Sequence, residues 1–146
     1  MFTPGVARAL EETIAFAERR HSILAGNLAN MDTPGYKTRD LSLPEFQASL
    51  KQMMAAEKTR TTPPSPGDRN FDVESGSSSP RLAREQAVRE VRDASTQVVY
   101  HDGSDDNLET QIAEIAKNQT MHSTAIALLK SQYRTMQMAI SGSVSV

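Results

Sequence analysis

LETQIAEIAKNQTMHSTAIALLKSQYRTMQMAI, Leu108 to Ile140, is the stretch that decides the architecture. Leu108, Ile112, Ile115, Gln119, His122, Ile126, Leu129, Tyr133, Met136 and Ile140 alternate by spacings of four and three. That is the 3.5-residue period of a coiled-coil seam, sustained for four or so heptads. At 1.5 Å per residue the segment predicts a helix roughly 50 Å long, too long to sit inside a small compact domain. Ala113, Ala116, Ala125, Ala127 and Leu128 widen the stripe, so more than one neighbour is expected against it. Asp106 and Glu109 have capping-box spacing at its start, Asp105 adds negative charge there, and Gly142 ends it.

A shorter pattern of the same kind lies at the other end of the chain. Leu10, Ile14, Ala17, His21, Leu24 and Leu28 form a second seam, with Glu11, Glu12, Glu18, Arg19 and Arg20 off it. Pro4-Gly5 opens this segment, and its acids precede its arginines, the order the helix dipole favours. Two such seams in one chain predict an all-α fold: elongated N- and C-terminal helices in a coiled-coil hairpin. Between them the expected middle is irregular and partly flexible, with room for short strands.

Composition sets the limits. The chain has 146 residues, enough for one domain, but only 38% are apolar and 5% aromatic, with no Trp. Such a core is thin, which favours an extended helical protein completed by partners. A net charge of −2 gives no field that would draw nucleic acid. Absence of cysteine rules out disulfides and thiolate metal sites. No apolar run reaches 18 residues, so no membrane span is expected. Glu11 and Glu12 stand where a secretory signal needs apolar residues, so none is expected.

The expected organisation is a helix over residues 1–31, a turn and short helical segment over 32–57, an irregular middle over 58–101, and the long helix over 102–146. Within the second part a short helix should follow Pro44, with Phe46, Leu50, Met53 and Met54 on one side. The middle is rich in Pro, Ser, Thr and Gly from Lys58 to Pro80, with Phe71–Val73 strand-like. Arg81 to Asp93 has a weak helical pattern, and Thr96 to Tyr100 reads as a short strand ended by Asp102-Gly103.

His21, His101 and His122 are scattered and make no paired-ligand spacing. His21 and His122 would face each other if the terminal helices pack, where a polar seam residue often fixes register. Gln119 reads the same way. His101 to Asn107 is acidic, but a calcium loop starting at Asp102 would need Gly and Glu where Asn107 and Ala113 stand. A turn followed by a helix cap fits better. There is no nucleophile elbow and no glycine-rich phosphate loop. Arg81, Arg84, Arg89 and Arg92 are balanced by Glu85, Glu90 and Asp93. No catalytic residue, metal ligand, cofactor, small-molecule substrate or nucleic acid is therefore expected.

The turn after the first helix, NLANMDTPGYK from Asn27 to Lys37, carries the remaining information. Asn30 suits the left-handed residue that closes a helix. Pro34-Gly35 suits the centre of a type II turn, and Tyr36 then emerges as a large amphipathic contact group. Local packing of Tyr36 and a contact with another subunit both satisfy this pattern.

The full string LAGNLANMDTPGYKTRDL, Leu24 to Leu41, resembles the N-terminal signature of bacterial flagellar rod and hook proteins. Asn27, Leu28, Ala29, Asn30, Thr33, Pro34, Gly35 and Tyr36 match it. YKTRDL, and the C-terminal pattern from Tyr100 to Ile140, are most similar to the proximal rod proteins of that family. The resemblance covers about residues 1–50 and 100–142. It implies a non-catalytic structural subunit of the basal body, assembling with copies of itself into the axial drive shaft that transmits torque and surrounds the export channel. It implies contacts with other rod proteins, a basal-body adapter, the membrane ring and the export apparatus. It also implies synthesis in the cytoplasm, export by the flagellar type III apparatus without a cleaved signal, and residence in the periplasmic space. A sibling rod subunit and a cytoplasmic coiled-coil binding module are the alternatives.

Overall fold

The structure is a computed structural model and describes residues 4–61, 80–96, 98–100 and 108–142. In chain order the elements are α1 (Pro4–Ala29), β1 (Arg39–Leu41), α2 (Leu43–Thr61), α3 (Pro80–Ala94), β2 (Val98–Tyr100) and α4 (Leu108–Ser141). The fold is helical, with the long terminal helices α1 and α4 packed together. Helix α2 pairs with α3 and also packs on α1. Helix α1 therefore has neighbours on two sides, whereas α4 rests chiefly on α1.

Local sequence explains the boundaries. Pro4 opens α1, where its missing N–H costs nothing. Ser42 precedes α2; its carbonyl accepts from Phe46 N at 3.0 Å, and Glu45 stands at capping-box spacing from it. This helix runs 19 residues from Leu43, well past the short segment expected after Pro44. Helix α4 stops where Gly142 takes φ +62°, the left-handed conformation that ends a helix without a Cβ clash. Helix α3 buries Ala87, Val88 and Val91 and turns its charges outward, so a weak pattern in the sequence becomes a one-sided helix against α2.

The principal core lies between α1, α2 and α3. Its centre is a stack of Phe16 and Phe46, with ring centroids 4.1 Å apart and planes 11° from parallel. Ala9, Leu41, Met53, Ala87, Val88 and Val91 complete it, with Ile23, Leu43, Leu50 and Met121 packed at its margin. Strands β1 and β2 pair antiparallel, Asp40 opposite Val99 and Leu41 opposite Val98. Leu41 is buried while Val98 and Val99 stay exposed, so the ribbon contributes to the core chiefly from β1. Phe71–Val73 and His101–Asn107, Asp106 included, lie outside the described residues.

Contact between α1 and α4 buries only part of the apolar seam. The buried residues of α4 are Gln111, Asn118 and Ala125, seven apart. Ile115, His122, Leu129 and Met136 flank them half-buried, as does Ile126, but Leu108, Ile112, Gln119, Tyr133 and Ile140 are exposed. On α1, Ala17 and Leu24 are buried, Leu10 and Ile14 half-buried, and His21 and Leu28 exposed. Small side chains at Ala17, Asn118 and Ala125 allow close approach of the two backbones. Asn118 uses it to donate Nδ2 to Ala17 O at 2.8 Å.

The aromatic stack gives a direct test. Phe46→Ala should lower the free energy of unfolding by about 3–5 kcal/mol, because the cavity falls between three helices that cannot all collapse. Urea denaturation followed by circular dichroism measures it; a loss below about 1 kcal/mol would show that the stack is not the core's centre.

Candidate functional site

The turn after α1 is organised by the side chain of Asn27, which is 1% exposed. Its Oδ1 accepts from Tyr36 OH and from Arg39 N, each at 3.1 Å. Its Nδ2 donates to Arg39 O at 2.6 Å and approaches Gln111 Oε1 at 3.4 Å. One amide thus meets both backbone groups of Arg39, as a neighbouring strand would, and pins β1 beside α1. A buried amide with donor and acceptor both satisfied is fixed in orientation.

Between Asn27 and Arg39 the chain makes two turns. Thr33 N donates to Asn30 O at 3.0 Å and Tyr36 N to Thr33 O at 3.1 Å. Gly35 adopts φ +77°, the third-position geometry of a type II turn that follows Pro34 at the second. Asn30 differs from expectation: no non-glycine described residue has positive φ. It instead closes α1 with its side chain, Nδ2 donating to Gly26 O at 2.8 Å, while its backbone N–H is shared between Gly26 O and Asn27 O. An amide side chain reaches the free carbonyl, so the backbone need not turn left-handed. Tyr36 is half-buried and folds back onto its own helix through Asn27, while Leu28, Ala29, Thr33, Pro34 and Gly35 stay exposed.

A second cluster ties the turn to α4. Arg20 is 5% exposed and grips Asp40 with two hydrogen bonds, Nε to Oδ1 at 2.8 Å and Nη2 to Oδ2 at 2.6 Å. Nη2 also reaches Glu114 Oε2 at 2.8 Å, and Lys117 meets Glu114 Oε1 at 2.6 Å. Hydrogen bonding to Asp40 holds the Arg20 guanidinium above its ordinary pKa despite burial. Glu114 is held below the usual carboxylate range, first by Lys117 and then by Arg20. The fork geometry of arginine suits this clamp, which joins α1, β1 and α4 at one point.

Farther along the same interface, Ala17, Glu18, His21, Asn118, Gln119 and His122 line a shallow groove of about 160 Å³. His21 and His122 do share it. His122 Nε2 lies 3.6 Å from Glu18 Oε1, too long for a hydrogen bond. Among the described residues no group of three or more His, Asp or Glu is placed to hold a metal ion. Toward the end of α4, Tyr133 OH donates to Glu11 Oε1 at 3.0 Å, which pushes the phenol pKa up.

The structure thus brings the turn residues around Asn27 and sets them against the start of α4. The seam positions do not converge on a pocket. Sequence reasoning missed Arg20, Asp40, Glu114 and Gln111. Only the register of α4 on α1 could reveal them, because ion-pair partners 94 residues apart leave no local spacing.

Two outcomes follow from this geometry. Asn27→Leu should cost roughly 2–4 kcal/mol, since the Arg39 backbone and the Tyr36 hydroxyl lose their partners, and Asn27→Asp should also destabilise, because it sets a buried carboxylate oxygen against the Arg39 carbonyl. Denaturation midpoints of the three chains decide it; equal midpoints would refute the role. The clamp also predicts a pH dependence. With its folded pKa lowered, Glu114 contributes stability above the ordinary carboxylate pKa, about 4.3, that is lost as pH falls through the folded value. The stability difference between wild type and Glu114→Gln should therefore shrink from pH 7 to pH 3. A constant difference would overturn the assignment.

Comparison with known proteins places these features. The flagella basal body rod protein family matches residues 10–37, from α1 through the turn. The flagellar basal body rod protein FlgB of Salmonella typhimurium is 25% identical over 132 residues, 90% of both chains. FlgB of Proteus mirabilis is 41% identical over 49 residues, but that alignment spans only 34% of each chain. FlgB of Aquifex aeolicus is 64% identical over 28 residues, 19% of this chain and 23% of the relative. No solved structure matches. The signature lies on α1 and its closing turn, with a long terminal helix packed against it, and over that stretch the chain is similar to the flagellar basal body rod protein family.

Proposed function

We propose that the chain is a structural subunit of the proximal part of the flagellar rod, one protomer of the axial shaft, acting mechanically and without catalysis. One observation carries this reading beyond the family signature: α4 presents an exposed apolar stripe. Leu108 is 46% exposed, Ile112 51%, Tyr133 40% and Ile140 77%, and Leu28 adds 38% from α1. A solitary folded subunit gains nothing from this arrangement, while a subunit surrounded by copies and other rod proteins buries it. Burial at about 25 cal/mol per Å² becomes substantial once several such stripes meet.

In this reading the seam is an assembly surface. Leu10, Ala17, Leu24, Ile115, His122, Leu129 and Met136 hold the helix pair or its margin. Ile14 and Ile126 are half-buried beside that pair, and His21, Leu28, Leu108, Ile112, Gln119, Tyr133 and Ile140 face neighbours. The turn from Asn27 to Tyr36 is a rigid corner that sets where α1 ends, with Thr33, Pro34 and Gly35 available for contact. Partners would be further copies, other rod proteins, a basal-body adapter, the membrane ring and the export apparatus. The subunit would be made in the cytoplasm, passed through the flagellar type III apparatus without a cleaved signal, and held in the periplasmic space. Torque transmission follows from stiffness, since helices braced along their length resist bending and twisting.

The decisive experiment is electron microscopy of basal bodies from cells lacking the gene. Membrane rings without rod, hook or filament are expected. Complete flagella would contradict the reading and favour a cytoplasmic coiled-coil binding module. At residue level, Ile112→Asp should leave the helix content of the purified subunit unchanged, because the position is exposed, yet abolish swimming. Unimpaired swimming would remove Ile112 from the assembly surface.

A further inference from the structure

Two arginines from different helices share a cleft without a carboxylate of their own. Arg8 of α1 and Arg89 of α3 line it with Glu85, Val88 and Arg92, around a volume of about 290 Å³. Arg92 is engaged with Glu12 at 3.3 Å, and Glu85 is also engaged. Among the described residues Arg8 and Arg89 form no ion pair. With Arg92 held by Glu12, Arg8 and Arg89 face the cleft against the one lining carboxylate of Glu85, which leaves it weakly positive, and planar forks are suited to receiving carboxylates.

The complementary charge stands at the other end of the helix pair. Glu109 is exposed in the first turn of α4, without an ion pair among the described residues. Gln111, half a turn on, lies against Asn27 of α1. From Arg8 to Asn27 the helix advances 27 − 8 = 19 residues, roughly 30 Å of rigid rise. Helix α1 thus holds its own basic cleft and its own acidic helix start apart, so the two can meet only between chains.

We propose that the cleft of Arg8, Arg89 and Arg92 receives the acidic start of α4 from a second copy of this chain, with Glu109 as the leading carboxylate. The contact is heterologous, using two different patches, and so adds copies head to tail instead of closing a dimer. It rests on the rod reading above and deepens it. The apolar stripe brings subunits together side by side, and the charged ends set their stagger, because a slipped copy would leave the carboxylates facing apolar surface.

Charge reversal tests the pairing. Arg89→Glu, Glu109→Arg and the doubly reversed chain are each expressed in cells lacking the gene, and the amount of subunit in purified basal bodies is measured by immunoblot. Each single reversal sets like charges against each other and should lower incorporation about tenfold or more, and the double reversal should restore it to within about twofold of wild type. Circular dichroism of the purified chains checks that helix content is retained. If a reversal itself unfolds the chain, Arg89→Gln and Glu109→Gln replace it and should each lower incorporation less than reversal would. Full incorporation of a reversed or neutral variant, or no rescue in the double, overturns the head-to-tail pairing while wild-type chain in the basal bodies leaves the rod reading intact. Absence of wild-type chain from basal bodies overturns both.

Discussion

Everything after α1 depends on the amide of Asn27. A helix of 26 residues ends in solvent-facing turns, and nothing in its own backbone dictates where the chain goes next. By pairing with both backbone groups of Arg39, Asn27 brings β1 back alongside the helix it has just left. That return places Asp40 against Arg20 and Leu41 in the core, and it starts α2 close enough for Phe46 to stack on Phe16. Gly35 permits the tight reversal, and Tyr36 locks it by donating to the same amide. The family match over residues 10–37 covers the Asn27, Gly35 and Tyr36 part of this device, while Arg39 and Asp40 follow just after it.

The clamp centred on Arg20 extends this order to the far end of the sequence. A buried arginine is costly to desolvate, and here Asp40 and Glu114 together offset that cost with three hydrogen bonds. Because Asp40 is placed by the turn and Glu114 lies on α4, the clamp couples the exit of α1 to the register of α4. Asn118 bonded to Ala17 O, and Gln111 beside Asn27, repeat the coupling about one turn of α4 to either side of Glu114. The interface between the terminal helices is thus specified by polar contacts and small residues. Apolar bulk is left over for surfaces outside the subunit. In the proposed axial role, polar contacts would fix the shape of each subunit and the exposed apolar residues would join subunits.

Local rules fixed much of this protein in advance. A sustained 3.5-residue period gave α4, Pro4 and Gly142 mark its partner's start and its own end, and Pro34-Gly35 required a turn with positive φ at the glycine. The fold class and the family signature follow from such patterns, because each depends on residues within a few positions of one another. The expectation for Asn30 failed even at this range, since a side-chain amide and a left-handed backbone satisfy the same free carbonyl and the sequence does not choose between them.

Tertiary structure alone decided which face of α4 meets α1. Apolar residues spread over more than one stripe of that helix, and hydrophobic period cannot rank stripes of similar strength. The choice of Gln111, Asn118 and Ala125 came from close backbone approach at Ala17 and from hydrogen bonds to Ala17 O and Asn27, partners that lie 84 or more residues away in sequence. The Arg20 clamp and the basic cleft of Arg8 and Arg89 were hidden for the same reason. Charges are visible in a sequence as composition, but whether they are paired, buried or left facing an open cleft depends on distances that only the packed helices set.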